Sequence, residues 1–427
     1  MNRIILIGNG FDLAHGMKTS YSDFINDYWL NIISDIKKSA GSSFENSELK
    51  ITQKPLNAFF ISITKFEELY DIIESRGGTL TFKNKFLEKI NKKKQTQNWV
   101  DIENEYYLLL KESFKDKKCE YKISQLNSDF TEIQRLLEKY LEKIESNFKN
   151  DFGKNTRDSN LKEAIVHKVY SNFKFKDFSE ESINKKVELE YQEIKDVLDK
   201  SMNSLDYKIW HTKEKRDALV SKSMEKNKSP NEIRKRLLSD SASNYYDLQP
   251  SEILFLNFNY TFTEGLYSNL AWLDLSRNII NNKNLERSVI HIHGTTDQKD
   301  NNNVIFGFGD ELDEDYKSIE NLNDNIYLEN IKSIKYLETD NYKKLLEFLN
   351  SDDYQIFIFG HSCGNSDRTL LSTLFEHKHC VSIKPFYHKR ENDDNYSEIV
   401  RNITRNFNNK AVLRDKVVNK EYCEPLT

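Results

Sequence analysis

The pattern of apolar and polar positions changes style twice along this chain. Short β-branched runs occur at Ile4–Ile7, Ile253–Leu256, Val289–Ile292, Val304–Phe306, Ile356–Phe359 and Val381–Ile383, mostly bounded by Gly, Asn or Asp. Runs with little polar alternation predict strands buried on both faces, as in a parallel sheet, with helices such as Leu370–Phe375 between some of them. From about Tyr21 to Leu248 the chain is instead rich in Lys and Glu, with apolar residues at helical spacing. Phe130, Ile133, Leu137, Tyr140, Leu141, Ile144 and Phe148 trace one stripe, which is core packing on a long helix. The run Lys92–Lys94 and the stretch Lys226–Pro230 read as solvated loops.

These borders predict an α/β fold: a Rossmann-like parallel sheet with a large, mostly helical insertion after the first strand. Residues 1–30 and 246–427 form the core, and residues 31–245 the insertion. An insertion at a strand's C-terminal end stands over the place where open α/β sheets bind ligands. It is expected to act as a lid, an oligomerisation surface or a sensor.

Composition narrows the functional classes. Charged residues are 31% of the 427, yet the formal net charge is only -5, so no dedicated duplex-binding surface is indicated. Cys119, Cys363, Cys380 and Cys423 stand singly, which suits a reducing compartment and offers no zinc knuckle. No signal-peptide pattern and no apolar run of roughly 20 residues is present, so a cytoplasmic protein with no membrane contact is expected.

Four constellations carry candidate chemistry. In Ile7-Gly8-Asn9-Gly10-Phe11-Asp12-Leu13-Ala14-His15-Gly16 an apolar strand enters a glycine turn, either a phosphate cradle or a plain strand-to-helix turn. Asn259 ends a second strand, where a carboxamide holds a ribose hydroxyl or a water, or caps a helix. His291 and His293 alternate on a strand that ends at Gly294, readable as a packed pair, a general base or a metal pair; with no third ligand nearby, no metal is expected. Gly360-His361-Ser362-Cys363-Gly364-Asn365-Ser366-Asp367 follows the last long apolar run, with Ser366 or Asp367 placed to cap a helix. His377 and His379 are expected on a helix, on different faces. Asp101, Glu103 and Glu105, near Trp99, could be nuclease carboxylates, but two apart on a helix they do not converge and read as a solvated acidic face.

The order of these elements resembles the sirtuin-like superfamily, with its glycine turn, Asn segment, His-Gly pair and late Gly-Ser segment. The N-terminal block through Tyr21, Ser22 and Phe24, with Trp99-Val100-Asp101-Ile102-Glu103 and Gly360–Asp367, resembles the bacteriophage abortive-infection family AbiH. The resemblance implies Asn259 and His293 as catalytic residues. It implies Gly8, Asn9, Gly10, Phe11, Asp12, Gly16, Gly360, Ser362 and Asp367 as binding residues for NAD, held as substrate or ligand. The implied activity is hydrolysis of the nicotinamide–ribose bond during phage infection. The alternative is a non-catalytic nucleotide sensor that signals to a partner through the insertion. A phage-derived trigger or partner protein and a homo-oligomer accompany both expectations. The chain departs from sirtuin-like proteins at Thr261, where they carry Asp, and in lacking paired zinc cysteines, which argues against protein deacylation.

Overall fold

In the computed structural model, described for all residues except 39–42, 53–65, 76, 93–98, 117–118, 205–207, 209–210, 270–284, 298–302 and 312, the first strand lies at the centre of the main sheet. β1 (Asn2–Ile7) is buried along its whole length. It pairs in parallel with β5 (Glu252–Asn257) on one side and β7 (Tyr354–Phe359) on the other. β6 (Glu286–His291) and β8 (Cys380–Phe386) extend the sheet in parallel, giving the order β6-β5-β1-β7-β8. The chain builds outward from β1 to β6, then recrosses to β7, so strand order reverses beside β1. Such a reversal is where open α/β sheets bind ligands, beyond the C-terminal ends of the strands.

The faces of this sheet divide by alternation. Ile4, Leu6, Leu254, Leu256, Ile356 and Ile358 pack under the helices Asn341–Ser351, Arg368–Glu376 and Tyr396–Arg405. Ile5, Ile7, Ile253, Phe255, Phe357 and Phe359 pack against Phe11 of α1 (Asn9–Ala14) and Ile165, Val166 and Val169 of α7 (Thr156–Val169). A helix from residues 31–245 therefore covers one face of the main sheet.

The rest of that segment is not purely helical. α2 (Tyr21–Lys38), α3 (Phe66–Ser75), α4 (Lys85–Lys92), α5 (Trp99–Lys115) and α6 (Ile123–Asp151) share a core with an antiparallel sheet of β2 (Ser43–Glu45), β3 (Leu49–Thr52) and β4 (Thr79–Phe82). On α6 the residues Phe130, Ile133, Leu137, Tyr140 and Leu141 are buried. α8 (Glu180–Met202) packs with the helix Pro230–Leu237 over Phe173, Phe175 and Phe178. The loop expected at Lys226–Pro230 narrows to Lys228 and Ser229, since the helix Lys213–Asn227 runs through Lys226 and Asn227 and the helix Pro230–Leu237 starts at Pro230, while Lys93 and Lys94 lie outside the described residues.

Two expected elements differ. Val304–Phe306 is extended but joins no strand; Val304 and Phe306 enter the core of the helical unit while Ile305 enters the sheet core. Its alternation stitches two cores together. His377 and His379 lie past the end of the helix Arg368–Glu376, in the turn before β8, with ring centroids 5.5 Å apart. No described helix is long and apolar enough to cross a membrane.

Two glycines with positive φ serve different ends. Gly16 (φ 81°) ends α1: its amide donates to the Leu13 carbonyl and the Met17 amide to Asp12, the reciprocal pair of a Schellman stop. Gly360 (φ 71°) lets the β7 loop touch α1, since a Cβ there would lie 2.1 Å from the Phe11 nitrogen. Gly16→Ala, with open space around it, is expected to destabilise by about 1–2 kcal/mol from its backbone angle alone. Gly360→Ala is expected to destabilise by about 2–5 kcal/mol, because overpacking adds to the same strain. Urea denaturation of both variants checks this; equal losses would contradict the tight contact.

Candidate functional site

The loops after β1, β5, β6 and β7 deliver buried polar groups to one rim. On β5, Asn257 organises the turn that follows: its Oδ1 accepts from the Asn259 amide at 2.8 Å. Its Nδ2 donates to the Thr261 carbonyl at 2.9 Å and to Glu264 at 2.6 Å. This brings Thr261 and Thr263 over α1, where both hydroxyls donate to the buried Asp12 carboxylate at 2.6 Å. Asn259 faces the same carboxylate and favours its charged form, but its Nδ2 is buried without a hydrogen-bond partner. Burial raises the Asp12 pKa to about 6 against these hydroxyls, so the group is poised near neutrality.

On β6, the alternation that was expected to align the two histidines stops too early. The strand ends at His291, and His293 lies in the turn beyond it. His291 Nε2 meets Glu264 at 3.1 Å, whereas His293 Nδ1 meets the Phe258 carbonyl at 3.1 Å. A carbonyl only accepts, so His293 carries its proton on Nδ1 and turns Nε2 toward Tyr336 Oη at 3.0 Å and Asp367 Oδ1 at 3.3 Å. Burial, with Lys332 second, lowers the His293 pKa against the opposing pull of Asp367.

On the β7 side, Asp367 precedes the helix Arg368–Glu376, but its side chain makes no capping bond. It sits instead in a buried ionic cluster. Lys332 Nζ lies 2.8 Å from Asp367 Oδ1 and 2.7 Å from Glu103 Oε1, all three groups being almost wholly enclosed. His361 Nε2 lies 3.6 Å from Asp367 Oδ2; its Nδ1 accepts from the Cys363 amide, which fixes the proton of the neutral ring on Nε2. One ammonium serves two carboxylates. Asp367 is held well below the usual carboxylate range by Lys332 and His293, despite burial. Glu103 is raised by burial to about 7, since Lys332 does not fully offset it and Asp367 repels it.

Glu103 corrects the expectation of a solvated acidic face, for Glu103 and Glu105 are both buried. Nothing is described of the Asp101 side chain. Glu103, Tyr106, Tyr107 and Leu110 follow helical spacing along one buried stripe of α5, so an acid at a core position was the readable signal. Lys332 and Tyr336 had no such signal, as they lie in short turns of helix.

The other expected site residues divide. Ser362 does not join the rim cluster: it is exposed, and its carbonyl is held by Asn402 at 2.8 Å, because the loop turns its neighbours His361 and Cys363 inward instead. Cys363 adopts φ 55°, its carbonyl held by Asn406, and burial pushes its thiol far up, which leaves no thiolate beside His361. Phe11 is a core residue, packed on Phe359 and Tyr267. The Gly8, Gly10 and Phe11 amides donate to the carbonyls of Phe359, Gly360 and Gly8, so these glycines serve close loop packing; Asn9 and Gly10 are half-buried. Two surface cavities, of about 290 and 660 Å³, are not lined by Asn259, His293 or Asp367. Asn259, His293 and Asp367 are themselves buried.

The same blocks that build this rim fall within a family model. The model described as "Bacteriophage abortive infection AbiH" matches residues 4–388. The chain belongs to the AbiH family. The match runs from β1 past β8, so it takes in the glycine turn, Glu103 and the Asp367 loop of this AbiH chain. No curated protein and no solved structure matches it significantly.

Lys332→Met leaves two buried carboxylates without their ammonium and is expected to destabilise this AbiH protein by about 3–5 kcal/mol, read by urea denaturation. Glu103 titrates higher in the folded chain, at about 7, than in the unfolded one. Its stabilising contribution is complete below the unfolded value and is lost as pH rises through about 7. Glu103→Gln is therefore expected to gain on the wild type between about pH 4 and pH 8. Parallel stability curves for the two proteins would refute the assignment.

Proposed function

We propose that this AbiH chain hydrolyses NAD at the nicotinamide–ribose bond during phage infection, in a sirtuin-like site at the C-terminal rim of the main sheet. The observation that carries the reading is Asn259: a buried carboxamide nitrogen with no close hydrogen bond, turned toward a carboxylate poised near neutrality, beyond the strand next to β1. An unsatisfied buried donor costs about 1–3 kcal/mol, which a ligand hydroxyl or a water would relieve.

The chemistry asks little of the protein. Nicotinamide is a cationic leaving group: the ribose–nitrogen bond breaks, its electron pair goes to the ring, and a water oxygen bonds to the anomeric carbon. The water proton then needs an acceptor. Asn259 orients the water or a ribose hydroxyl, and His293, with its proton on Nδ1 and Nε2 left as the acceptor beside Tyr336, takes up the proton. Asp12, reached by the Thr261 hydroxyl, supplies from α1 the carboxylate that sirtuin-like proteins carry at the Thr261 position. The Asp367 carboxylate, 3.3 Å from Nε2, then stabilises the imidazolium that forms.

A second reading, a nucleotide sensor without turnover, is favoured by one feature. The cluster is closed, and Asp367 is linked through Lys332 to Glu103 on α5, so occupancy there would be felt by the helical unit.

Incubating the purified protein with NAD, with and without phage lysate, and measuring nicotinamide tests the first reading. Asn259→Ala is expected to lower release on the order of a hundredfold or more with an unchanged circular dichroism spectrum. A folded Asn259→Ala protein with undiminished turnover would exclude the role. NAD binding with no nicotinamide released would favour the sensor.

A further inference from the structure

The α7 face of the main sheet is apolar near the C-terminal ends of its strands and polar lower down. There Arg3, Gln355, Ser382 and Lys384 are all buried. They form a bonded array: Arg3 donates to Gln355 at 3.3 Å and Gln355 to Ser382 at 3.0 Å, while Lys384 donates to Asp177 at 2.8 Å. Burying charge on a sheet face is expensive unless each charge is matched. Here two cations, Arg3 and Lys384, face one carboxylate, Asp177, and burial pulls the Arg3 pKa down to about 9. Arg3 is met by the Val169 and Ser171 carbonyls and by the Phe173 and Phe357 rings, so Asp177 is left to pair with Lys384.

Against this array lies the cavity of about 290 Å³, where three lysines, Lys168, Lys174 and Lys384, outnumber two carboxylates, Asp177 and Glu424, with Gln355 among the other lining residues. Lys384 spends one donor on Asp177, and the remaining ammonium protons have no protein acceptor among the described residues. The other Asp177 oxygen, Oδ1, is buried and accepts nothing. Lys168, at the mouth, is anchored on the Leu426 carbonyl. The cavity thus offers cationic donors for an anion, a buried acceptor that wants a hydroxyl or amine, and the size of a small metabolite.

We propose that this cavity is a second ligand site, which takes a small phosphorylated polyol such as a sugar phosphate. The phosphate meets Lys384, with Lys174 and Lys168 at the rim, and a hydroxyl donates to Asp177 Oδ1. The site lies away from the rim that holds Asn259 and His293 and does not depend on the NAD reading. A dinucleotide is too large for it.

Calorimetric titration of the full chain with ribose 5-phosphate, with inorganic phosphate and ribose as separate probes, tests the site. Saturable binding of ribose 5-phosphate is expected, at least about tenfold tighter than either fragment. Lys174→Glu, at an exposed position that leaves the fold intact, is expected to weaken binding about tenfold or more. Asp177→Asn is expected to remove the advantage over inorganic phosphate. Asn259→Ala is expected to leave binding unchanged. No saturable binding at about 1 mM, or binding indifferent to Lys174→Glu, would overturn the site. Inorganic phosphate binding as tightly as ribose 5-phosphate would overturn the polyol assignment.

Discussion

Lys332 is the constraint on which the rest of the site depends. Its ammonium is withdrawn from water and held between Glu103 of the helical unit and Asp367 of the β7 loop. Removing two carboxylates and an ammonium from solvent is unfavourable, and only close pairing makes it tolerable. With Lys332 in place Asp367 stays ionised, and an ionised Asp367 favours a proton on the Nε2 atoms of His293 and His361 that face it. The docking of α5 and the geometry of the rim are therefore a single equilibrium. A change that draws α5 away takes Glu103 from Lys332, leaves that ammonium to Asp367 alone and so alters the charge that the imidazoles face.

The sheet was legible because its signals are local. Ile4–Ile7, Ile253–Leu256, Ile356–Phe359 and Val381–Ile383 are apolar at every position or nearly so, and central parallel strands need that. Val304–Phe306 has the same composition but is no strand, since an unbroken apolar run says that both sides are buried, not what buries them. The antiparallel sheet β2-β3-β4 escaped notice because its strands are short and two of them are half exposed. The histidine pair misled for a related reason: one residue beyond a strand's end, alternation no longer sets direction.

The site was legible in its backbone and not in its charges. Glycine turns and strand ends announce themselves by residue type, and they located Asn259, His293 and Asp367. Ionic partners do not, because Lys332 and Glu103 come from segments that lie far apart in sequence and meet only through packing. A carboxylate two positions from another looks solvated when helices are read alone. The stripe through Tyr106, Tyr107 and Leu110 shows that Glu103 faces inward.

The central place of β1 has a consequence for synthesis. Its partner β7 is made about 350 residues later, which at ribosomal speeds is roughly 20 to 70 seconds. Through that interval an apolar strand waits for its neighbour, and the rim above it has no Asp367. An interrupted translation product therefore carries the glycine turn and the whole helical unit but no assembled rim. In a cell whose protein synthesis is halted by a phage, only chains finished beforehand count.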